Sequence, residues 1–389
     1  MRILAISHAG IRSVNRSVYR LLKNAYPDIH LVVPEAISGL RVEPKVPEDP
    51  EIVPMTLVGK NPRTYHYPQL FPWLETSKPD IILLENDPVS RIAIGVANWC
   101  RKNNAIFIAQ SYENLGRGFI TTAKSRGLRA VPVNLIITTL NYLMTKCVNG
   151  LLVINKDGEK IFNSYGYRNV KRIPLGFDKE IFRREANSRQ RYRAKLGLDE
   201  NVVLVAYFGR LVKQKGVHIL LQALNSIKNL NWKLLLDSHH DNENVYTTYI
   251  LEMVKQLGMS DRVLYFEADH FEIANYMRAA DVMVAPSITT PNFKEQYGRA
   301  VQEAMACGCV TVVSDSGHLK DLVDVNSLVF KEGDAEALKN IIQNLIVDKD
   351  KRIEVSMFLE NRAAQQLTTE IQSGIIKDLL VSLVNEKSG

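Results

Sequence analysis

The fold is decided by residues 202–216, which read VVLVAYFGRLVKQKG. The first seven residues form an apolar run of strand length, and a short loop with a glycine at each end follows it. A helical pattern then begins after Gly216. A strand, a glycine-flanked loop and a helix in this order are typical of parallel α/β sheets, in which the loops after the strands carry the binding residues.

The same alternation extends over the chain in both directions. The predicted strands are residues 3–7, 30–33, 81–84, 106–109, 151–154, 233–236, 263–266, 282–285 and 310–314. The predicted helices are residues 14–24, 90–103, 156–165 and 335–347, with a last helical run from 351 to about 384. We therefore predict an α/β fold with two doubly wound domains, at 1–185 and 186–365. The arginine-rich stretch 183–195 would be the linker, and the helix at 366–389 would cross back to the first domain.

Composition and charge limit the class of protein. At roughly 150 residues per domain, 389 residues predict two domains. With 46% hydrophobic and 23% charged residues, the disordered, collagen-like and disulfide-scaffold classes are excluded. The net charge of +7 fits an anionic small ligand or a phospholipid surface. Nucleic acid is not an expected partner, because no block of Lys and Arg with interleaved aromatic residues is present.

Several features bear on localisation. The four cysteines lack zinc spacing and are expected to be small buried residues in a reducing compartment. The first residues are too short for a signal peptide, and no run of about 18 apolar residues is present. We therefore expect a cytoplasmic protein. Residues 117–146 place a basic run beside an interrupted apolar helix, which would suit the inner face of a membrane, although the sequence favours a buried helix after a basic loop.

A first candidate site is the loop 209–216. Arg210 stands at the strand end and Lys215 near the helix start. Paired cations at such a position can neutralise a diphosphate, with Arg as a bidentate donor and Lys as a point charge. The alternative is an ordinary solvated basic turn.

A second candidate site follows the predicted strand 282–285. Glu295 falls in the loop before a predicted helix, Tyr297 and Gly298 in its first turn, and Glu303 in its second turn. Backbone N–H groups at a helix N-terminus can bind phosphate, and Glu303 is close enough to the same end to accept hydrogen bonds from ribose. The alternative is a pre-helix acid followed by an ordinary helix glutamate, and the spacing alone does not decide between them.

Together these motifs resemble those of family 4 of the retaining glycosyltransferases. Residues 209–216 resemble the family's Gly-Arg-Leu-(x)₃-Lys-Gly segment, and Glu295 to Glu303 resembles its E-x₇-E motif. Further matches lie at 78–80, 173–178, 262–266, 279–281 and 286–287. The resemblance covers most of the chain and implies the GT-B fold, in which two Rossmann-like domains face each other across a cleft. It also implies a nucleotide-diphosphate sugar as co-substrate, and neither a metal nor another cofactor.

The resemblance also implies roles for individual residues. Arg210 and Lys215 would hold the donor's diphosphate and Glu295 would face the transferred sugar, which makes these three the candidate catalytic residues. Leaving-group stabilisation by fixed charges would carry the reaction. The implied donor-binding residues are Gly209, Glu267, Ala268, Gln296, Tyr297, Gly298 and Glu303, with Glu267 and Ala268 at the nucleobase and Glu303 on the ribose.

The first domain departs from the family pattern. Only Gly10 stands where the family has paired glycines, and residues 110–114 read QSYEN where many members have a histidine. Side chains after consecutive strands are nevertheless expected to converge at one edge of the sheet. The predicted acceptor- or sugar-binding residues are Gly10, Glu85, Asp87, Glu113 and Asn114, and the alternative is that they are surface caps.

No metal site is predicted. The one Asp-x-Asp sequence, at 348–350, lies between two predicted helices and is expected to be a solvated turn. The two histidines at 239–240 follow a strand and are likewise expected to be solvated surface.

The sequence thus predicts a retaining glycosyltransferase of the cytoplasm or membrane periphery. The expected acceptor is a saccharide or a lipid-linked intermediate of cell-envelope, exopolysaccharide or glycolipid synthesis. One alternative is a nucleotide-sugar epimerase or hydrolase on the same fold, which would need acid and base groups such as Glu85, Asp87, Glu113 or His8. The other is a non-catalytic partner of a glycosyltransferase, against which the intact set Arg210, Lys215, Glu295 and Glu303 argues.

Overall fold

The computed structural model describes residues 1–116, 131–237 and 245–388. The predicted basic segment at 117–130 and the histidines at 239–240 therefore lie outside the described residues. The chain divides into two compact units, of which unit 1 comprises Met1–Gly176 with Thr369–Gly389 and unit 2 comprises Phe177–Thr368.

Unit 1 is built on a seven-stranded parallel sheet with the order β5-β2-β1-β6-β7-β8-β9. Its strands are β1 (Ile3–Ile6), β2 (Ile29–Pro34), β5 (Glu51–Met55), β6 (Ile81–Leu84), β7 (Ile106–Ser111), β8 (Gly150–Val153) and β9 (Val170–Arg172), with a small hairpin of β3 (Ala36–Ile37) and β4 (Leu40–Arg41). Its helices are α1 (Ser17–Ala25), α2 (Leu70–Ser77), α3 (Arg91–Asn103), α4 (Val131–Met144), α5 (Lys156–Tyr165) and, at the end of the chain, α14 (Thr369–Ser388).

Unit 2 is built on a six-stranded parallel sheet with the order β12-β11-β10-β13-β14-β15. Its strands are β10 (Val203–Tyr207), β11 (Trp232–Asp237), β12 (Val263–Phe266), β13 (Val282–Ala285), β14 (Val310–Ser314) and β15 (Val329–Phe330). Its helices are α6 (Ala186–Lys195), α7 (Val217–Asn225), α8 (Val245–Gln256), α9 (Ile273–Ala279), α10 (Arg299–Ala306), α11 (Leu319–Val323), α12 (Ala335–Val347) and α13 (Lys349–Gln366).

Local sequence explains where these elements form and stop. All four residues of β6 are apolar and buried, the pattern of a parallel strand covered on both faces. Helix α5 begins where the side chain of Asn155 accepts a hydrogen bond of 2.7 Å from the N–H of Gly158. It ends at Gly166, which has a left-handed conformation.

Each sheet has one topological switch point, which is the position where the strand order reverses. In unit 1 the chain runs from β1 outward to β2 and β5 and then returns to β6, so the order reverses between β1 and β6. In unit 2 the order reverses in the same way between β10 and β13. Ligands of open α/β sheets bind in the crevice beyond the carboxyl ends of the strands at such a point. Each unit therefore has one edge position at which a binding site is expected.

The predicted linker at 183–195 is wrong. Residues 186–195 form α6, which belongs to unit 2 and is held there by ion pairs to Asp281, the residue before β13. Arg189 Nη2 lies 2.6 Å and Arg193 Nη1 lies 3.1 Å from the two carboxylate oxygens of Asp281. The sequence predicted that these arginines belong to a charged linker. In the structure they form ion pairs with a carboxylate of unit 2.

The last helical run is also not continuous. Helix α13 ends at Gln366 and α14 begins at Thr369, and the intervening residues leave the helical conformation. Leu367 accepts a hydrogen bond of 3.2 Å from the N–H of Phe177, and Thr368 pairs with Phe177 in a β-bridge. This pairing replaces helical hydrogen bonds at the point where the chain leaves unit 2.

The predicted burial of the cysteines is confirmed for three of the four. Cys100, Cys147, Cys307 and Cys309 are all free, and all but Cys147 are buried. Over the described residues, no helix has both the length and the apolar character needed to cross a membrane.

Candidate functional site

The two motifs after β10 and β13 meet at the switch point of unit 2. Lys215 Nζ lies 2.6 Å from Glu295 Oε2, and Ser287 Oγ donates a hydrogen bond of 2.8 Å to the same oxygen. The ammonium group also lies 5.6 Å from the ring centroid of Phe293. Glu295 is buried, so the carboxylate is held by a cation and a hydroxyl with little access to water. A basic loop and an acidic loop that are 80 residues apart in the chain thus form one polar centre.

Two glycines allow the backbones around this centre to approach closely. Gly216 has φ of 69°, and a Cβ atom built on it would lie 1.9 Å from the carbonyl oxygen of Pro286. Gly317 has φ of 58°, and a Cβ atom there would lie 1.9 Å from the carbonyl oxygen of Glu295. The next residue, His318, donates its N–H to that same oxygen at 3.1 Å. Only glycine fits both positions, since other residues would be strained and would clash.

Arg210 presents a second cation beside this centre. It follows Gly209 at the end of β10, and its carbonyl oxygen accepts a hydrogen bond of 2.8 Å from the hydroxyl of the buried Tyr207. Its side chain is exposed, and within the described residues its guanidinium has neither a hydrogen-bond nor an ion-pair partner. The backbone is thus fixed while the charge remains available to an anionic ligand.

Helix α10 starts later than the sequence predicts. Its first residue is Arg299, and Gly298 is the N-cap, so Tyr297 and Gly298 precede the first turn. The side chain of Tyr297 is buried, donates a hydrogen bond of 2.8 Å to Gln302 Oε1 and stacks on the ring of His318 at 5.2 Å. Any contact of Tyr297 with a ligand would therefore involve its backbone, as the sequence prediction already assumed.

Glu303 lies in the second turn of α10, as predicted, and its electrostatic environment is unusual. It is buried, and its one described ion-pair partner is Arg299, at 3.8 Å. Burial raises the pKa of its carboxyl to about 7, and the charge of Arg299 lowers it only in part. A carboxyl that titrates near neutral pH is a marker of a functional site.

The other predicted donor-binding residues lie around this centre. Gln296 is exposed between Glu295 and α10. Glu267 and Ala268 follow β12, which is two strands away from β10. Neighbouring strands are about 4.8 Å apart, so these residues begin about 10 Å from the centre along the sheet edge. That distance is comparable to the separation of a nucleobase from its diphosphate.

Sequence reasoning missed two features of unit 2. One is the contact of Gly317 and His318 with Glu295 and Tyr297, for which the only signal is a glycine shortly after a strand. The other is a pocket beside the loop 209–216, lined by Val212, Lys213, Gln214, His218, Val245, Tyr246 and Tyr249. There His218 Nδ1 lies 2.7 Å from the hydroxyl of Tyr246. These aromatic residues sit in ordinary helical patterns and carry no motif.

In unit 1 the predicted residues also gather at a switch point. Ser7, directly after β1, donates a hydrogen bond to Glu85, directly after β6. Ser111, the last residue of β7, donates to Asp87. Glu113 lies 3.4 Å from Arg63, and with Asp87 these residues line a small cavity of about 10 Å³, enough for one water molecule. The carboxylates after consecutive strands thus share one edge of the sheet, as expected.

Gly10 and Asn114 are more enclosed than the sequence suggests. Asn114 is buried. Gly10 is buried too, and its N–H donates to Ser7 Oγ at 3.0 Å while its carbonyl accepts from Arg16 Nε at 2.7 Å. The backbone polar groups of Gly10 are therefore already bonded within unit 1, and a ligand role for it remains a prediction.

His8 is neutral at the same edge. Its ring stacks on Tyr67 at 5.8 Å, and burial lowers its pKa to about 4. Within the described residues its Nε2 atom has no hydrogen-bond partner. A histidine that is neutral at physiological pH can accept a proton there, so this pKa does not decide between a glycosyltransferase and the epimerase alternative.

Comparison with known proteins shows which family unit 2 is similar to. Residues 188–360, all of them in unit 2, match the family model of the group 1 glycosyl transferases. This match covers less than half of the chain. Membership of family 4 remains a prediction.

The individual relatives that match this chain are distant. It is 27% identical to a D-inositol 3-phosphate glycosyltransferase of Xylanimonas cellulosilytica over 206 residues, which are 51% of this chain and 48% of the relative. It is also 27% identical to a lipopolysaccharide 1,2-N-acetylglucosaminetransferase of Salmonella typhimurium, over 161 residues and 40% of each chain. The matches thus span about half the length of these curated relatives or less.

The solved structures show the fold. HepE of Anabaena, determined in complex with UDP, superposes with a TM-score of 0.76 at 20% identity and covers 98% of this chain and 100% of that chain. This chain therefore has the GT-B fold of two Rossmann-like units, as the resemblance implied.

The Asp348 region has a structural role that the sequence did not predict. Asp348 is exposed between two helices, as predicted, but its side chain also caps α13 by accepting a hydrogen bond of 2.8 Å from the N–H of Lys351. Among the described residues, no group of three or more His, Cys, Asp or Glu side chains is arranged to hold a metal.

The sequence prediction that Glu303 binds the ribose of a donor, together with its raised pKa, predicts a pH dependence of donor binding. A carboxylate that accepts hydrogen bonds from ribose hydroxyls binds best when ionised, and its pKa of about 7 means that it is largely protonated at pH 6. The affinity for a nucleoside-diphosphate sugar, whose phosphates do not titrate in this range, should rise by up to about tenfold from pH 6 to 8. Titration calorimetry at several pH values measures this rise. Glu303→Gln should abolish it, and an equal rise in that variant would assign the effect to another group.

Proposed function

We propose that this chain is a glycosyltransferase that moves a sugar from a nucleoside-diphosphate sugar to an acceptor hydroxyl with retention of configuration. The observation that carries the proposal is the centre formed by Lys215, Glu295 and Ser287 at the switch point of unit 2, with the cation of Arg210 beside it. Two cations and the N-terminus of α10 lie at this edge and could neutralise the negative charge of a diphosphate. The buried carboxylate of Glu295, which contacts Lys215, could then face the sugar that is attached to the diphosphate.

The diphosphate would bind to Arg210, Lys215 and the start of α10. When the bond between the sugar and the diphosphate breaks, negative charge develops on the leaving oxygen. Fixed cations and the first-turn N–H groups of a helix stabilise that charge without reorganising, and this is the largest source of catalysis in many enzymes. Gly209, Gln296, Tyr297 and Gly298 would contribute through the loops that surround the diphosphate.

The remaining donor contacts would follow the edge of the same sheet. Glu295 would face the sugar, since it is already held beside Lys215. Glu303 would accept hydrogen bonds from the ribose, and Glu267 with Ala268 would lie at the base. In the retaining reaction the incoming hydroxyl attacks from the face that the diphosphate leaves, and a phosphate oxygen of the donor takes its proton.

The relatives support the donor and the acceptor classes. A protein of the same fold, HepE, binds UDP, and two relatives are named for transfer to inositol 3-phosphate and to lipopolysaccharide. We therefore propose a saccharide or lipid-linked acceptor of envelope, exopolysaccharide or glycolipid synthesis. Gly10, Glu85, Asp87, Glu113 and Asn114 of unit 1 would contact the acceptor or the transferred sugar. The enzyme would work on the cytoplasmic side, with peripheral contact to the membrane.

No metal or other cofactor is part of this proposal, because Arg210 and Lys215 supply the positive charge. We therefore expect activity to survive EDTA. Asp348→Ala should keep wild-type turnover but lose about 1 kcal/mol of stability, because it removes a helix cap. Turnover assays with and without EDTA and thermal unfolding of the variant check both expectations. Complete loss of activity in EDTA that Mn²⁺ restores would instead indicate a metal-held diphosphate.

The proposed function is tested by a thermal-shift screen with nucleoside-diphosphate sugars, because a ligand that binds only the folded state raises its apparent stability. The best-binding donor is then incubated with candidate acceptors. Transfer of the sugar supports the proposal. Consumption of the donor without an added acceptor would favour the epimerase or hydrolase, and the absence of any binding would favour a non-catalytic partner.

A further inference from the structure

Phe293 lies against the ammonium group of the proposed diphosphate site. The Nζ atom of Lys215 lies over its ring, 5.6 Å from the ring centroid, which is within the range of a cation–π contact. The same atom lies 2.6 Å from Glu295 Oε2. An aromatic face and a carboxylate therefore both contact one cation. Of these two partners, the sequence identified the carboxylate but not the ring.

A short hairpin brings Phe293 back to this position. After β13 the chain turns at Pro291 and Asn292, which are typical turn residues. Thr290 and Phe293, on either side of the turn, exchange backbone hydrogen bonds of 2.7 and 3.3 Å. The backbone of the half-buried Phe293 is thus fixed by local pairing, two residues before Glu295.

The segment that carries this hairpin is tied to the loop that carries Lys215. The N–H of Ile288 donates a hydrogen bond of 2.8 Å to the carbonyl of Gln214, the residue before Lys215. Next to it, Thr289 Oγ1 lies 3.0 Å from Ser316 Oγ, which links the same segment to the loop after β14. The segment with the ring and the loop with the ammonium are therefore joined directly to each other.

The two partners of the cation differ in how they respond to a bound donor. A diphosphate has to compete with the carboxylate of Glu295 for the charge of Lys215, because both are anions. The ring of Phe293 is neutral and attracts the ammonium through its quadrupole, so it can hold the cation while a phosphate binds. It also keeps water from one side of the ammonium, which strengthens the attraction to a phosphate. The lysine side chain is 25% exposed, which leaves a ligand access to it.

We propose that Phe293 is a positioning residue that holds the ammonium of Lys215 towards the diphosphate of the donor. The inference rests on the proposed function and adds to it a residue outside the motifs of the sequence. Phe293 acts through Lys215, and not through a contact of its own with the sugar or the base. An effect that passes through Lys215 disappears when the lysine is removed, whereas a direct or purely structural effect persists.

The test is a double-mutant cycle on the affinity for inorganic pyrophosphate, measured by titration calorimetry. Phe293→Leu keeps an apolar side chain but removes the aromatic face, and it should weaken binding by about five- to tenfold. The same substitution in Lys215→Ala should change the affinity by less than about twofold, because the cation is absent. Phe293→Tyr keeps the aromatic face and should bind like wild type. Turnover of the donor that the thermal-shift screen selects should follow the same order.

The matched control is Phe358→Leu, the same substitution at an exposed position of α13, which should leave both measurements at wild-type values. An equal loss in Phe293→Leu with and without Lys215 would overturn the inference. So would an equal loss in Phe293→Tyr, or unchanged pyrophosphate affinity in Phe293→Leu. These outcomes differ from failure of the proposed function, in which Lys215→Ala itself keeps wild-type affinity and turnover.

Discussion

Lys215→Ala is expected to lower turnover of a nucleoside-diphosphate sugar by about 10²-fold or more, the usual scale for removing charge stabilisation from a transition state. The lysine Nζ lies 2.6 Å from Glu295, so the substitution removes a cation and leaves a buried carboxylate with only part of its support. Affinity for the nucleoside diphosphate should fall as well. Steady-state kinetics and titration calorimetry measure the two effects, and Arg210→Ala should act in the same direction.

The chain offers a matched control in the same loop. Lys213 is exposed and lines the pocket with His218 and Tyr246, away from Glu295. Lys213→Ala should therefore keep turnover within a fewfold of wild type, and circular dichroism should be unchanged in all three variants. Normal turnover in Lys215→Ala, or an equal loss in Lys213→Ala, would contradict the placement of the diphosphate.

Glu295→Gln is expected to lower kcat by about 10²-fold while nucleoside-diphosphate affinity stays the same or increases. Glutamine keeps the side-chain volume and can still accept the hydrogen bond of Ser287, but it removes the charge that faces the sugar. It also removes the anion that neutralises Lys215 in the free protein, so the lysine no longer has to exchange a carboxylate for a phosphate. The change should therefore separate the chemical step from donor binding.

Glu303→Gln is the companion variant and should show the opposite pattern. Hydrogen bonds to ribose exist before and during the reaction, and losing such uniform binding raises KM, here by roughly tenfold, more than it lowers kcat. Measuring kcat, KM and nucleoside-diphosphate affinity for both variants completes the comparison. If Glu295→Gln lost nucleoside-diphosphate affinity and Glu303→Gln kept it, the start of α10 would have to lie differently relative to the ligand.

The strands at the centre of both sheets could be predicted from sequence because they are buried apolar runs. Strands β6, β13 and β14 have the predicted bounds. In the two parallel sheets the missed strands, β5, β9 and β15, all stand at the end of a sheet, and the fourth end strand, β12, was predicted. An edge strand has a neighbour on only one side and tolerates polar residues and proline, as Pro54 in β5 shows, so its apolar pattern is weak.

The individual residues of the site could be predicted from the sequence, but the contacts between them could not. A strand followed by a glycine-flanked basic loop identifies Arg210 and Lys215, and a helix preceded by a loop carboxylate identifies Glu295 and Glu303. That Lys215 and Glu295 form an ion pair depends on β10 and β13 being neighbours, which is a property of strand order. The raised pKa of Glu303 depends in the same way on burial by the whole unit.

The misplaced linker has a comparable cause. A stretch rich in arginine is typical of solvated chain, and nothing local to 183–195 indicates that Asp281, almost 90 residues later, will neutralise it. Pairing over such a separation becomes visible only in the folded chain.

The asparagines of α4 specify which way the helix faces, since Asn134 and Asn141 lie on its buried face and Leu135 and Ile136 on its exposed face. Hydrophobicity alone would give this helix two nearly equivalent orientations, because large apolar residues surround most of its axis. Asn141, bonded to Tyr167, makes one orientation distinct, as a single buried polar residue does when it selects the register of a coiled coil. Replacing Asn134 and Asn141 with leucine, the change that a rule for filling cores recommends, would remove that distinction and leave the helix free to turn its outer face inward.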